Sequence, residues 1–381
     1  MNDSKPLKYM RQLDALRAVA VVMVIVSHWA PNKVSFLFNG DLGVHLFFAI
    51  SGFLITGILL DAREKAEERG IPLRAVVKNF YARRFLRIFP VFYATLLVTY
   101  VAGYPAVRES IGWHVSYLSN AFFAVRGDWL GEVSHFWSLA VEEQFYLVWP
   151  WMILFVPRRL QLRLVLAAVF LAPVFRFAAS GMGLNTIAVS VLPFASLDTL
   201  GLGSLLAFLS RTKDGMGSRS VSRMQIAAVA GLAVYLLYNV TDLFSGSLLS
   251  SSVAHSALAI ALVGAVALAA RGIGGPIGWA MELAPVVYLG RISYGVYLFH
   301  NFVPLASSRL FGSLGYSAMA VLGPYGLFLF NFMVLMVVSI LSWHLFEKPI
   351  NNLKRFVPYV SEAREGPASA PIILVKGNPT P

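Results

Sequence analysis

Arg17 and His28 lie inside the first apolar run of the chain, with ten residues between them. Because an α-helix turns by about 100° per residue, both side chains lie on one helix face, about three turns apart. Ionisable residues in an apolar segment are costly and usually face a bundle interior or a wet cavity, so this pair is a candidate functional site. The alternative is that Arg17 anchors the inner membrane surface and that His28 is an interfacial polar residue.

The segment HFWSLAVEEQFYLVWP, residues 135–150, carries a second candidate group. Ser138, Glu142 and Tyr146 recur at i, i+4 and i+8 and therefore share one helix face. A glutamate can orient a histidine and stabilise its protonated form while the histidine acts as a general base. We therefore expect Glu142 to support His28, which lies at a similar depth. The alternative is a packing role in which Ser138 and Tyr146 satisfy the carboxylate.

Arginines are concentrated in YARRFLRIFP, residues 81–90, where Arg87 follows Arg83 and Arg84 by about one helical turn. Guanidinium groups bind phosphate well, so these three residues are candidates for a phosphate-bearing ligand. The alternative is an anchor at the level of the lipid headgroups. Asp14 precedes Arg17 by three residues and lies on the same side of the first helix.

Polar side chains are also regularly placed in LGRISYGVYLFHN, residues 289–301. Tyr294 and His300 are the candidates here for substrate contact or support. Hydrogen bonding within a helix bundle is an equally good account of this segment.

The elements that position these groups must be membrane helices. With 57% hydrophobic and 13% charged residues and a mean hydropathy of +0.68, the chain is too apolar for a soluble domain. Continuous apolar runs of roughly 20 residues span a bilayer as helices. We therefore predict an all-α bundle of ten transmembrane helices, near residues 13–30, 42–60, 85–103, 138–156, 162–179, 186–209, 225–241, 252–270, 284–303 and 317–345.

The net charge of +12 follows membrane topology and does not indicate a nucleic-acid partner. If the N-terminus is cytoplasmic, the basic residues fall on inner segments, with the exceptions of Lys33, Arg108, Arg126, Arg176 and Arg309. This bias is the positive-inside rule, and it predicts that both termini are cytoplasmic.

Cysteine chemistry is excluded because the chain has no cysteine. The same topology places the seven histidines, His344 excepted, towards the outer side. Zinc could use such a group, but no H-E-x-x-H or similar ligand spacing occurs, so we expect no metal.

We predict one membrane domain, residues 1–357, and a flexible cytoplasmic tail, residues 358–381. Gly70 and Pro72 indicate a turn within the charged inner segment 61–84, and residues 104–136 form the longest external loop.

Taken together, these segments resemble the membrane-bound acyltransferase 3 family, whose members O-acylate sugars of cell-surface polysaccharides and sometimes small molecules. The similarity follows the chain order through RQLDALRAVAVVMVIVSH, GVHLFFAISGFLI, YARRFLRIFP, HFWSLAVEEQFYLVWP, LDTLGLGSLLA and RISYGVYLFH.

The resemblance implies that His28 is the catalytic histidine and Arg17 its partner, with Glu142 the glutamate of the WSL segment. It also implies that Arg83, Arg84 and Arg87 lie near a coenzyme A donor. His45 stands where many members carry an acid. Some members carry an additional extracytoplasmic esterase-like domain, and we expect this chain either to act alone or to pass its product to a partner.

The expected function is transfer of an acyl group, most simply acetyl from acetyl-CoA, to a hydroxyl of a carbohydrate or glycolipid acceptor at the plasma membrane. The competing class is a secondary transporter that uses Arg17, Glu142 and His28 as a proton or substrate path. A third hypothesis, a non-catalytic subunit of an envelope complex, leaves the intramembrane charges unexplained.

Overall fold

The regular structure is helical throughout the residues that the computed structural model describes, which are 9–30, 40–212, 217–240 and 248–360. The first half contains α1 (Arg11–Trp29), α2 (Gly40–Glu68), α3 (Leu73–Val101), α4 (Pro105–Val115), α5 (Ser119–Arg126), α6 (Phe136–Phe155), α7 (Arg158–Gly181), α8 (Thr186–Val191) and α9 (Leu197–Leu209). The second half contains α10 (Ser218–Val240), α11 (Leu248–Arg271), α12 (Gly275–Met281), α13 (Ala284–Phe299), α14 (Val303–Ser313), α15 (Ala318–Ser342) and α16 (Lys348–Asn352).

Seven of the described helices are long and apolar enough to cross a bilayer, which makes the chain an all-α, multi-pass membrane protein. They are Arg11–Trp29, Gly40–Glu68, Leu73–Val101, Arg158–Gly181, Ser220–Asn239, Ser252–Arg271 and Ala318–Phe356. The other three predicted spans fall on α6, on α8 with α9, and on α13. The count of ten and the cytoplasmic termini stay predictions, and residues 361–381 of the predicted tail lie outside the described residues.

The predicted span 186–209 is not one helix. It consists of α8, a 3₁₀ turn (Pro193–Ser196) and α9. Pro193 has no N–H and disfavours the helical region for the residue before it. Leu192 accordingly has extended backbone angles, φ −70° and ψ 144°, which end α8.

The turn predicted within residues 61–84 is present in the structure. α2 continues to Glu68, and α3 begins at Leu73 after a turn in which Gly70 has a φ of 65°.

Residues 104–136, predicted to be an external loop, fold into α4, α5 and a 3₁₀ turn (Gly131–Val133). His114 is buried here between the hydroxyls of Ser110 and Ser119, at 2.8 Å and 2.7 Å. Burial lowers the pKa of His114 to about 4, so this histidine is neutral and holds α4 against the start of α5.

α1 lies at the centre of the site and packs against α2 and α13. Gly290 of α13 faces the backbone of α1 so closely that a Cβ atom there would lie 1.8 Å from the carbonyl oxygen of Asp14. At the other end of the same pair, His28 meets His300. α1 and α13 therefore run parallel, with their polar residues at matching depths.

α2 is held against α9, where Gly52 meets the carbonyl of Leu200. α9 is in turn joined to α7 by a buried ion pair between Arg176 Nη2 and Asp198 Oδ2, 2.7 Å apart. Ser256 of α11 donates to the same carboxylate oxygen at 2.9 Å. Arg176 is the partner of Asp198 that the sequence alone does not identify.

Candidate active site

Two cavities lie between the helices that carry the predicted site residues. After the predicted topology, we call the cavity of about 130 Å³ lined by Arg17 the inner cavity and the cavity of about 990 Å³ lined by His28 the outer cavity. Val44 of α2 and Tyr297 of α13 line both cavities. The face of α1 that carries Arg17 and His28 therefore serves both cavities, one residue in each.

The inner cavity is lined by the cations Arg17, Arg84 and Arg87. Arg17 is paired, since its Nη1 donates to Asp14 Oδ1 at 2.5 Å. Arg84 lies over the ring of Tyr146, with its Cζ 5.0 Å from the ring centroid. Within the described residues, neither Arg84 nor Arg87 donates a hydrogen bond to the protein, so both guanidinium groups are available to an anionic ligand.

Arg83, predicted to act together with Arg84 and Arg87, has its guanidinium group directed to the C-terminal segment. Its Nη1 donates to the carbonyl oxygens of Lys354 and Val357 at 2.8 Å and 2.9 Å. Its guanidinium also lies 4.5 Å from the ring centroid of Tyr359. Arg83 fixes the C-terminal segment to α3 and does not line the inner cavity.

Glu142 enters the inner cavity from α6. Ser51 Oγ of α2 donates to Glu142 Oε1 at 2.6 Å, and the hydroxyl of Tyr146 donates to Ser51 Oγ at 2.9 Å. Ser138 is hydrogen-bonded to the hydroxyl of Tyr297, 2.5 Å away. Ser138, Glu142 and Tyr146, predicted to share one helix face, thus line one cavity. Tyr146 is linked to the Glu142 carboxylate through Ser51, whereas Ser138 bonds to Tyr297 instead.

The predicted contact between Glu142 and His28 is not present in the described residues. The carboxylate lies in the inner cavity and bonds to Ser51, whereas His28 is exposed to the outer cavity. The neighbour of His28 is His300, whose Nε2 lies 2.8 Å from His28 Nδ1. The two ring planes are inclined by 16°, and the ring centroids are 5.0 Å apart.

Asp14 and Tyr294 occupy the inner side of the site. Asp14 Oδ1 accepts a hydrogen bond from Arg17, and Asp14 Oδ2 accepts one from the hydroxyl of Tyr9, each at 2.5 Å. Arg291 Nε lies 3.9 Å from the same Oδ2. Tyr294 lines the inner cavity, and its hydroxyl is 3.4 Å from the carbonyl oxygen of Ile88. Asp14 therefore fixes Arg17, and Tyr294 forms part of the wall.

Four residues that line the cavities are not among the site residues predicted from the sequence: Ser51, Tyr297, Asp41 and His135. Asp41 and His135 line the outer cavity with His28, and Tyr297 separates the two cavities. Tyr297 precedes His300 by three residues, which places the two side chains one helical turn apart. This spacing is the feature of the sequence that could have identified Tyr297 as a site residue. The remaining contacts bring together distant segments and have no local signature.

Histidine and carboxylate groups do not form a metal site in the part of the chain that the structure describes. No three residues among His, Cys, Asp and Glu converge there in a way that could hold an ion. His45 occupies a position where many family members carry an acidic residue. Its Nδ1 lies 3.1 Å from Thr199 Oγ1, and its ring lies against that of His255.

Similarity to known proteins covers most of the chain. The model of an acyltransferase domain matches residues 10–346. The peptidoglycan O-acetyltransferase OatA of Listeria monocytogenes is 29% identical over 331 residues, covering 77% of this chain and 49% of that protein. The O-acetyltransferase OatA of Staphylococcus aureus is 27% identical over 325 residues, covering 77% and 50%. The putative peptidoglycan O-acetyltransferase YrhL of Bacillus subtilis is 29% identical over 382 residues, covering 91% and 55%.

The chain thus spans about half the length of the curated relatives it matches. No solved structure matches it. Because the acyltransferase-domain match extends over the helices that form both cavities, from α1 to the π-helical turn (Trp343–Glu347), the chain belongs to the acyltransferase 3 family.

Proposed function

We propose that the chain is a membrane O-acyltransferase, which moves an acyl group from a coenzyme A thioester on the cytoplasmic side to a hydroxyl of a carbohydrate acceptor on the outer side. The observation that supports this most strongly is the pair of cavities that share Val44 and Tyr297. One cavity presents guanidinium groups and the other presents an accessible imidazole. Donor and acceptor can therefore approach from opposite sides and meet near one pair of residues.

The donor side is the inner cavity. Coenzyme A carries several phosphate oxygens, and guanidinium groups bind phosphate through charge-assisted hydrogen bonds. Arg84 and Arg87 are the groups we assign to this contact, because they face the cavity without a hydrogen-bond partner among the described residues. Arg17 is held by Asp14 and contributes positive charge further along the same wall. Acetyl-CoA is the simplest donor, in line with the names of the relatives.

The acceptor side is the outer cavity. Trp129, with 43% of its surface exposed, and the half-buried Trp137 line this cavity. Aromatic faces bordered by polar groups suit a sugar, which has apolar ring faces and hydroxyl edges. The relatives named peptidoglycan O-acetyltransferases suggest a peptidoglycan sugar or its lipid-linked precursor, and hence the plasma membrane.

The chemical step joins the acceptor hydroxyl oxygen to the acyl carbonyl carbon and breaks the carbon–sulfur bond of the thioester. The hydroxyl proton passes to His28, the electron pair of the broken bond leaves on sulfur, and His28 returns the proton to that thiolate. A neutral hydroxyl is a poor nucleophile, and a positioned base contributes about 10² to 10⁴ in rate. An alternative sequence first forms acyl-His28 with loss of the thiol and then transfers the acyl group to the hydroxyl.

Purified protein in liposomes tests the proposal. Radiolabelled acetyl-CoA is added at the face that carries Arg84, and a soluble peptidoglycan fragment is added at the opposite face. The proposal predicts labelled fragment together with a stoichiometric amount of free coenzyme A. Movement of labelled small molecules across the membrane with no thioester consumed would identify a transporter instead.

A further inference from the structure

Three histidines meet at the outer end of the site. His28 Nδ1 lies 2.8 Å from His300 Nε2, and the centroids of the His300 and His135 rings are 4.7 Å apart. His28 is exposed to the outer cavity, while His300 and His135 are buried. His300 lines neither cavity, so it can act on a substrate only through His28.

The protons in this group are determined by backbone carbonyls. His300 Nδ1 lies 2.6 Å from the carbonyl oxygen of Tyr297, and a carbonyl oxygen can only accept a hydrogen bond. His300 Nδ1 therefore carries a hydrogen, and its Nε2 is an acceptor in the neutral ring. The atom 2.8 Å away, His28 Nδ1, must then be the donor.

The neighbouring ring is fixed in the same way. His135 Nε2 lies 3.1 Å from the carbonyl oxygen of Leu298 and so carries the hydrogen. Its Nδ1 accepts from Asn301 Nδ2, also at 3.1 Å. His135 packs edge-on against His300 and blocks rotation of that ring, which keeps His300 Nε2 directed at His28.

We propose that His300 is a positioning residue that holds His28 in the Nδ1–H tautomer, so that His28 Nε2 is the atom with a free lone pair towards the outer cavity. The proposal rests on the proposed acyl transfer for its catalytic meaning. The acceptor hydroxyl transfers its proton to His28 Nε2 as its oxygen bonds to the acyl carbon, and the thiolate leaves. The resulting imidazolium keeps its Nδ1–H bond to His300. If His28 is itself acylated, the same Nε2 is the nucleophile.

The acceptor hydroxyl, His28 and His300 would form a catalytic triad in which the third group, His300, is neutral. In the Ser-His-Asp triad, an orienting group that selects the wrong histidine tautomer lowers turnover by about 10⁴. In this chain the carbonyl oxygen of Tyr297 sets the tautomer of His300, and His300 sets that of His28. The carboxylate that sequence reasoning assigns to this task, Glu142, lies in the other cavity.

The kinetic test compares two substitutions at position 300. His300→Leu removes the acceptor at similar volume, and His300→Gln can place an amide oxygen near the position of Nε2. We expect His300→Leu to lower kcat by about 10²-fold with a donor KM within about twofold of the wild type, because base catalysis is lost while donor binding is not. We expect His300→Gln to keep kcat within about tenfold of the wild type. Equal loss in both variants, or near-normal kcat in His300→Leu, would overturn the positioning role.

A spectroscopic test does not depend on activity. Solid-state NMR of the full chain in lipid, labelled with ¹⁵N-histidine, distinguishes Nδ1–H from Nε2–H rings, and a His28→Gln sample identifies the His28 signals by their disappearance. The proposal predicts Nδ1–H at His28 in the wild type and a shift towards Nε2–H in His300→Leu. An Nε2–H ring at His28 in the wild type overturns it even if acyl transfer is confirmed. An Nδ1–H ring supports it even if the reaction proves to be a different one.

Discussion

Ser51 of α2 donates a hydrogen bond of 2.6 Å to Glu142 of α6, and this bond joins two helices at the wall of the inner cavity. The carboxylate is thus held by a neutral hydroxyl, which itself accepts from Tyr146. Arg84 stacks on the ring of the same tyrosine. Glu142 is therefore placed to orient, through Ser51, Tyr146 and Arg84, the side of the site that we propose binds the donor.

We predict that Ser51 and Glu142 act as one unit. Ser51→Ala and Glu142→Gln should each lower kcat/KM, and the double variant should lose little more than the worse single variant, because both changes break the same bond. Contacting residues of this kind typically show interaction energies of about 0.5 to 3 kcal/mol in a double-mutant cycle. Strict additivity of the two losses would show that the bond has no part in activity.

Arg84→Ala and Arg87→Ala should mainly weaken acyl-donor binding. Loss of a charge-assisted phosphate contact costs about 1.5 to 3 kcal/mol, or roughly ten- to a hundredfold in affinity. The measurement is the Kd for coenzyme A and for an analogue that lacks one phosphate group. Arg159→Ala is the matched control, since Arg159 is an exposed arginine at the start of α7. Equal weakening for every donor analogue, or the same effect in the control, would show that Arg84 and Arg87 only anchor α3.

Removal of one partner of the Arg176–Asp198 ion pair should be strongly destabilising. Arg176→Met leaves a buried carboxylate without its partner and should cost about 3 to 5 kcal/mol, whereas the double variant with Asp198→Asn should recover part of that loss. Thermal unfolding in detergent measures both. Arg126→Met is the control, because the Arg126–Glu109 pair is solvent-exposed and should contribute less than about 1 kcal/mol. Similar losses in Arg176→Met and Arg126→Met would contradict this account.

Local periodicity predicts which residues of one helix share a face. Ser138, Glu142 and Tyr146 follow the i, i+4, i+8 rule, and all three line the inner cavity. The rule does not separate Arg84 from Arg83, because both lie about one helical turn from Arg87, yet they face the cavity and the C-terminal segment respectively.

Contacts between distant helices cannot be predicted from one sequence. His28 and His300 are 272 positions apart, and their contact depends on the parallel packing of α1 and α13 at Gly290. The pairing of Arg176 with Asp198 depends likewise on the packing of α7 against α9. The sequence identifies the polar groups, but their neighbours follow from how the helices assemble.

The topology predicted from the basic residues places Ser116 outside and Arg69 inside. Both positions are exposed, and the chain has no cysteine of its own, so single cysteines report cleanly. Ser116→Cys in intact cells should react with an impermeant maleimide, and Arg69→Cys should react only after the membrane is opened. Reaction of both from the same side would rule out the predicted arrangement of α2 to α4.

The measurement that tests the central claim most directly is acyl transfer by purified His28→Ala, with donor affinity measured in the same preparation. The account predicts loss of transfer by at least about 10²-fold, unchanged donor affinity and an unchanged unfolding temperature, because His28 supplies the base or nucleophile and does not bind the donor. The control is His344→Ala, which should retain transfer. His344 is exposed and hydrogen-bonded to Tyr288 at the far end of the bundle. Near-normal transfer by folded His28→Ala would contradict the account and leave His28 as an interfacial polar residue.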